Sequence, residues 1–455
     1  MTDVAPAQGT TPGPTAGPTP GPTPAPVARW RVAAWAGWDW GSSAWNAVIV
    51  SFVFGPYVVE GVVGDARPGG LSANTWVGIS GTAAGLLILL IAPVMGQRSD
   101  SGGHRRRNLL VWSSLVFAVM VAMFAVKNEP SYLWIALVLL GAGGIFNELA
   151  GVSYNAMLQQ VSTPSNIGRV SGFGWSMGYF GGIFLLLICY FGFIKPEVGW
   201  FGVSNAGGLD IRAVAVFSAV WFAVFGAAVF FAVPEVRPGP TQRRVGFVDS
   251  YRLLVCDVVA LWRRDRNAVR FLIASALYRD GLAAVFSYGA ILAVSVYGMA
   301  AGTVLIFGVA ANVVAALGAL VLGRVEDRTG PRRIIMISLV GLIVSCVVLL
   351  FVQGVTLFWV FGLALCLWVG PAQASSRSFL ARIAPQGREG EMFGLYTTTG
   401  RAASFLAPAL FALFSGLFSD RLGILGIALV LAAGALAMTR VTPPRPAEHN
   451  AAAVS

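Results

Sequence analysis

The sequence predicts an all-α integral membrane protein with twelve transmembrane helices arranged as two pseudo-symmetric six-helix bundles. Three observations carry that prediction. Apolar residues make up 56% of the 455-residue chain and charged residues 11%, with a mean hydropathy of +0.73. A soluble domain carries about 25% charged residues. Polar breaks leave twelve apolar runs of the ~20 residues that a spanning helix needs. A charged pattern, G-x-x-x-D-x-x-G-x-R-R, occurs twice, each time between two such runs: Gly96 to Arg106, with Asp100, Gly103, Arg105 and Arg106, and Gly323 to Arg333, with Asp327, Arg328, Gly330, Arg332 and Arg333.

Residues 1–30 are rich in Pro, Thr, Gly and Ala and bury too little apolar surface to offset ordering entropy, so a disordered cytoplasmic tail is expected. This stretch lacks the basic start and apolar centre of a secretory signal, which leaves the first helix to insert the protein. The N-terminal bundle is expected over 31–233, with spans near 33–58, 73–96, 108–126, 131–156, 170–192 and 211–233. A polar cytoplasmic linker follows over 234–269, in which Val248 to Trp262 has the pattern of an interfacial amphipathic helix. The C-terminal bundle, 270–440, has spans near 270–296, 300–323, 333–352, 354–377, 393–416 and 421–439, before a tail over 441–455.

Basic residues orient the bundle. Of the 31 arginines and lysines, 24 fall on the side of the termini, the linker and the two charged patterns. Only Arg67, Lys127, Lys195, Arg212 and Arg421 fall on the other side, and Arg279 and Arg401 lie within spans. The positive-inside rule then puts both termini in the cytoplasm. The halves also repeat. Asp39 matches Asp280 at an offset of 241, the charged patterns match at 227, and Gly168 with Gly172 match Gly390 with Gly394 at 222. The offset shrinks where outer loops shorten, as a duplicated bundle tolerates.

Within each charged pattern the glycines permit tight turns and close helix approach. The aspartate suits the free N–H groups of a neighbouring helix start, and the arginines suit a cytoplasmic membrane face. The pattern resembles the helix 2–3 and helix 8–9 loops of the major facilitator superfamily. Further stretches are similar to that superfamily's vacuole-effluxer-like (autophagy-related) branch: Trp38-Asp39-Trp40-Gly41-Ser42-Ser43-Ala44-Trp45, Tyr154-Asn155-Ala156-Met157-Leu158, Tyr278-Arg279-Asp280-Gly281, Gln373 to Arg377, and Gly394 to Tyr396 with Gly400-Arg401. Gly41 stands where that branch has asparagine and Gln159 where proline is usual. The resemblance spans residues 35–440 and implies a transport site at mid-membrane between two repeats, lined by helices 1, 4, 7 and 10. It also implies that Asp100 and Asp327 close a cytoplasmic gate, with Arg169 at the start of helix 5.

An ionisable residue inside a span costs about 2.5–3.5 kcal/mol on insertion scales and needs a reason. Six qualify, three acids and three arginines: Asp39, Glu148, Arg279, Asp280, Arg377 and Arg401. They serve substrate binding and ion coupling, or they are gate salt bridges and snorkelling groups. Asp39 and Asp280 are expected as a pseudo-symmetric pair, each partnered by an arginine. Because Arg279 and Asp280 adjoin on one helix, each must reach another helix, where Asp39 and Arg401 or Arg377 are the available partners. Tyr154, Asn155, Tyr278, Asn312, Gln373 and Tyr396 are cavity candidates, although interhelical hydrogen bonds explain such residues equally well.

Other classes fit poorly. Two histidines and four scattered cysteines give no metal or disulfide framework, and no G-x-x-x-x-G-K-S/T run supports ATP-driven pumping. The net charge of +11 sits in loops between spans, which argues against nucleic acid. The expectation is therefore a non-enzymatic secondary transporter of a small solute, such as an exporter of amino acids or similar metabolites. It would lie in a bacterial cytoplasmic membrane as a monomer, with no cofactor beyond a coupling proton or sodium ion. A sugar–cation symporter of the related glycoside branch and a non-transporting sensor of the same fold are the alternatives.

Overall fold

The computed structural model describes residues 27–64, 66–235, 262–263 and 265–443. The expected N-terminal tail, apart from its last residues, falls outside them. So does the expected interfacial helix except for Trp262.

Twelve helices among the described residues are long and apolar enough to cross a membrane: α1 Arg29–Val63, α2 Ala73–Asp100, α3 Arg105–Ala125, α4 Pro130–Gln160, α5 Ile167–Ile194, α6 Ala206–Ala232, α7 Arg266–Ser295, α8 Gly302–Thr329, α9 Pro331–Phe351, α10 Val355–Ile383, α11 Glu389–Leu417 and α12 Asp420–Thr439. Their outer surface is greasy, with Leu86, Val138, Phe231, Ile306 and Leu436 all exposed. That is the arrangement expected where the surroundings are lipid.

Four helices, α2, α8, α11 and α1, depart from the sequence expectation for identifiable reasons. The charged patterns are mostly helix rather than loop. Helical structure continues to Gly102 and to Thr329, and only Gly103 (φ 62°) and Gly330 (φ 86°) carry the turn. Polar side chains do not stop a helix, whereas glycine at positive φ does. Asp100 and Asp327 consequently ride on the last helical turns. In α11 the helix breaks after Ala403 and resumes at Leu406. Pro408 has no N–H to give the carbonyl of Ser404, and its ring crowds that carbonyl. In α1 the chain is α-helical to Ser43, π-helical over Ala44–Phe52 and kinked at Val53 (φ −125°), before Pro56.

The two halves use the same contacts. In each, the first helix packs on the sixth (α1 on α6, α7 on α12), the third on the fourth (α3 on α4, α9 on α10), and the second on the fourth. Their shared ends are tied alike. Tyr57 donates to the carbonyl of Val126 (3.2 Å) and Tyr297 to that of Leu349 (2.5 Å). Arg212 donates to the carbonyl of Phe124 (2.5 Å) and Arg421 to that of Val352 (3.1 Å). In both halves a tyrosine and an arginine satisfy carbonyls left free where the third helix ends. Between the halves the principal pairings are α2 with α11 and α5 with α8, again reciprocal.

Candidate functional site: a two-latch hinge end and a charged interior

At the end of the bundle that carries Gly96–Arg106 and Gly323–Arg333, each half reaches into the other. Asp100, on the last turn of α2, accepts a hydrogen bond from the backbone N–H of Glu391 (2.8 Å) in the first turn of α11. Such N–H groups lack intrahelical partners, and the dipole there favours an anion. The other carboxylate oxygen of Asp100 accepts from Nε and Nη2 of Arg105 (2.9 and 2.6 Å), and Arg105 also pairs with Glu389. All three side chains are buried. A Cβ on Gly96 would lie 2.1 Å from the carbonyl oxygen of Gly390, so only glycine allows this approach.

The second latch mirrors the first. Asp327, on the last turn of α8, accepts from the backbone N–H groups of Gly168 (2.9 Å) and Arg169 (3.3 Å) in the first turn of α5. A Cβ on Gly172 would meet the carbonyl of Ala319 at 2.3 Å. Beside Asp327, fully buried Glu326 accepts from the hydroxyls of Ser375 (2.7 Å) and Ser378, and Arg382 of α10 stands 3.8 Å from both acids.

In each latch one arginine stands between two acids, recruited differently. Arg332, the counterpart of Arg105, instead donates to the carbonyl of Thr439 (2.9 Å). Arg106 secures α3 to Glu235 after α6, its backbone N–H donating over 2.9 Å. The side chains of Arg169, Arg328 and Arg333 are exposed. Sequence reasoning passed over Glu326, Glu389 and Arg382. A second acid beside Asp327 was the available signal for Glu326.

A third crossing lies deeper. Arg377 of α10 enters the N-terminal half and donates to Asp39 (3.2 Å), to Asn155 (3.3 Å), and to the hydroxyl and carbonyl of Ser171 (3.0 and 2.7 Å). Its guanidinium lies over the rings of Trp35 (4.9 Å), Trp175 (5.6 Å) and Tyr154 (5.7 Å). Tyr154 donates to Asp39 (2.7 Å) and stacks between Trp35 and Trp38, centroids 4.6 and 4.3 Å away. Gly174 leaves the room this needs, since a Cβ there would lie 2.7 Å from Nη2 of Arg377. Trp35 was not singled out in the sequence.

Further along, Glu148 of α4 pairs with Arg401 of α11, with side chains 33% and 37% exposed. Two expectations need correction here. Asp280 meets no arginine among the described residues: it accepts from the backbone N–H of Ala407 (2.6 Å), capping the resumed half of α11 that Pro408 creates. Arg279 reaches no acid among the described residues. It lies over the ring of Tyr396 (3.8 Å) and donates to that residue's carbonyl (2.9 Å).

The polar candidates are distributed as follows. Tyr278 bonds Ser376 (2.7 Å), Gln373 accepts from Tyr179 of α5 (2.9 Å), and Asn312 donates to Gly308 within its own helix (2.8 Å). Cys189, Cys346 and Cys366 are buried free thiols, and the described residues hold no group of ligating side chains that would seat a metal.

Chains of known identity give this geometry its family. An uncharacterized MFS-type transporter of Bacillus subtilis, YxiO, is 24% identical over 388 residues, covering 83% of this chain and 87% of that one. Autophagy-related protein 22-1 of Neosartorya fischeri is 26% identical over 292 residues, 58% of this chain and 46% of that one. The chain thus spans about half the length of that fungal relative. Among solved structures, the proton:xylose symporter XylE superposes with TM-score 0.68 at 15% identity, over 92% of this chain and 96% of its own. The human organic anion transporter MFSD10 superposes with TM-score 0.72 at 14% identity, over 90% and 99%. At such identities the likeness shows the fold. The family model described as vacuole effluxer Atg22-like matches residues 159–445, well over half of the sequence. The chain therefore belongs to the Atg22-like family of major facilitator transporters.

Proposed function

We propose that this transporter is a secondary active carrier of a small solute that works by alternating access, with its hinge end and both termini in the cytoplasm. The reading rests chiefly on the reciprocal latch. Asp100 and Asp327 each cap a helix of the opposite half, so both bonds break together when the halves part at this end. The conformation described is then the one closed to the cytoplasm. The 24-to-5 distribution of basic residues supports the orientation. Efflux is the direction favoured, because the matched family is described as an effluxer.

Asp327→Asn keeps the shape but removes the charge that favours the α5 N-terminus, an interaction worth up to about 2 kcal/mol when partly buried. The variant should stay in the membrane, favour the cytoplasm-open state and transport poorly. A cysteine placed at Ala381, buried where Gln159 of the other half reaches its carbonyl, should react only with reagents on the cytoplasmic side, and faster in Asp327→Asn than in the parent. Unchanged reactivity and transport would remove the latch. Reaction from the outer side alone would invert the topology.

A further inference from the structure

The charges within the bundle are not all accounted for by one another. Asp39 is held by Arg377, Glu148 by Arg401, and Asp280 by the start of the resumed half of α11. That leaves Arg279 without a carboxylate among the described residues, although it sits 13 residues into α7. At 1.5 Å per residue this is about 20 Å from the hinge end, near the middle of a bilayer whose core is about 30 Å thick. Glu148 and Arg401 lie at a similar depth, 12 residues from the hinge-end termini of α4 and α11. Both are a third exposed, so open space adjoins them.

Arg279 is also positioned rather than merely tolerated. Tyr396 supports the flat face of its guanidinium, and one carbonyl takes Nη1. Gly400 clears its flank, since a Cβ there would lie 2.9 Å from Nη1 and 3.4 Å from Nη2. A guanidinium has five N–H donors in a planar fork that suits a carboxylate bidentately. One ring face and one carbonyl leave most of that fork uncommitted.

We propose that Arg279 is the anchor for a carboxylate group on the transported solute, and that Tyr396 and Gly400 hold it in place for that purpose. An uncompensated cation at mid-membrane is costly, and a carboxylate-bearing substrate supplies the missing counter-charge. The carried class is then solutes that bear a carboxylate. The inference rests on the transporter reading but is tested apart from it.

The test uses the full chain in lipid nanodiscs, with the thermal transition as readout. Propionate is compared with propionamide, L-alanine with L-alaninamide, and L-phenylalanine with its amide, at matched ionic strength. At least one carboxylate should raise the transition while its amide does not. Arg279→Gln should weaken that binding by about tenfold or more, as expected for losing a hydrogen bond to a charged group. Arg279→Lys should lie between the two. Gly400→Ala, which keeps the charge and displaces only the end of a flexible side chain, should also weaken binding and decides the matter if Arg279→Gln does not fold. Equal responses to acid and amide, no response to any carboxylate, or wild-type affinity in Gly400→Ala and Arg279→Gln would overturn the proposal. If the Ala381 reporter still responds to Asp327→Asn, such a result rejects the anchor alone and leaves alternating access standing.

Discussion

Arg105→Ala is expected to destabilise the protein by about 3–5 kcal/mol, the usual cost of removing one partner from a buried ion pair. Arg105 is the cation that bridges Asp100 and Glu389, and its loss leaves these two buried carboxylates facing each other. Asp100 keeps its bond from the N–H of Glu391, whereas Glu389 loses the guanidinium. The double variant Arg105→Ala, Glu389→Gln should therefore recover part of the loss, because it removes the orphaned charge. Arg105→Lys should recover less than its charge suggests, since one ammonium cannot reproduce the forked contact with Asp100. Thermal unfolding in detergent reads all three. A stable, monodisperse Arg105→Ala protein would show that the cluster is not structural.

Asp39→Ala should produce the second large effect, in stability and in transport together. It removes the counter-charge of Arg377 and the acceptor of the Tyr154 hydroxyl at once. Arg377 retains Ser171, Asn155 and three aromatic faces, so the expected cost is about 3 kcal/mol, at the lower end for a buried pair. Asp39→Asn keeps an acceptor for Tyr154 but not the charge, and should fold better than Asp39→Ala while transporting no better. Exchanging the pair, Asp39→Arg with Arg377→Asp, should restore part of the folded yield. Full transport by Asp39→Ala would reduce the pair to scaffolding.

Much of this was legible in the sequence, for physical reasons that differ by residue. The spans could be read because a bilayer demands length and apolarity. The hinge aspartates could be read because the pattern recurs with glycines where helices must touch. The partner of Asp280 could not be read from charge alone. It depends on a helix break set by Pro408, deep inside the run 393–416 that otherwise reads as continuous helix. Arg279 has an aromatic face and a carbonyl in place of the expected acid, and nothing in the spacing of charges announces that. The same applies to Arg382, which substitutes for Arg332 across a gap only the packing of α10 against α8 creates. Local patterns forecast which groups need partners, and tertiary geometry chose them.

The central claim is that the two latches hold the halves together at one end and release together. Ser165 and Gln386 are exposed at that end on opposite halves. Spin labels placed there, in a background without the four native cysteines, report their separation by pulsed electron resonance. The parent should show one dominant short distance. Asp100→Asn with Asp327→Asn should add a longer population, larger than the two single variants together if the latches act as one. The same distance distribution in the parent and the double variant would contradict the account.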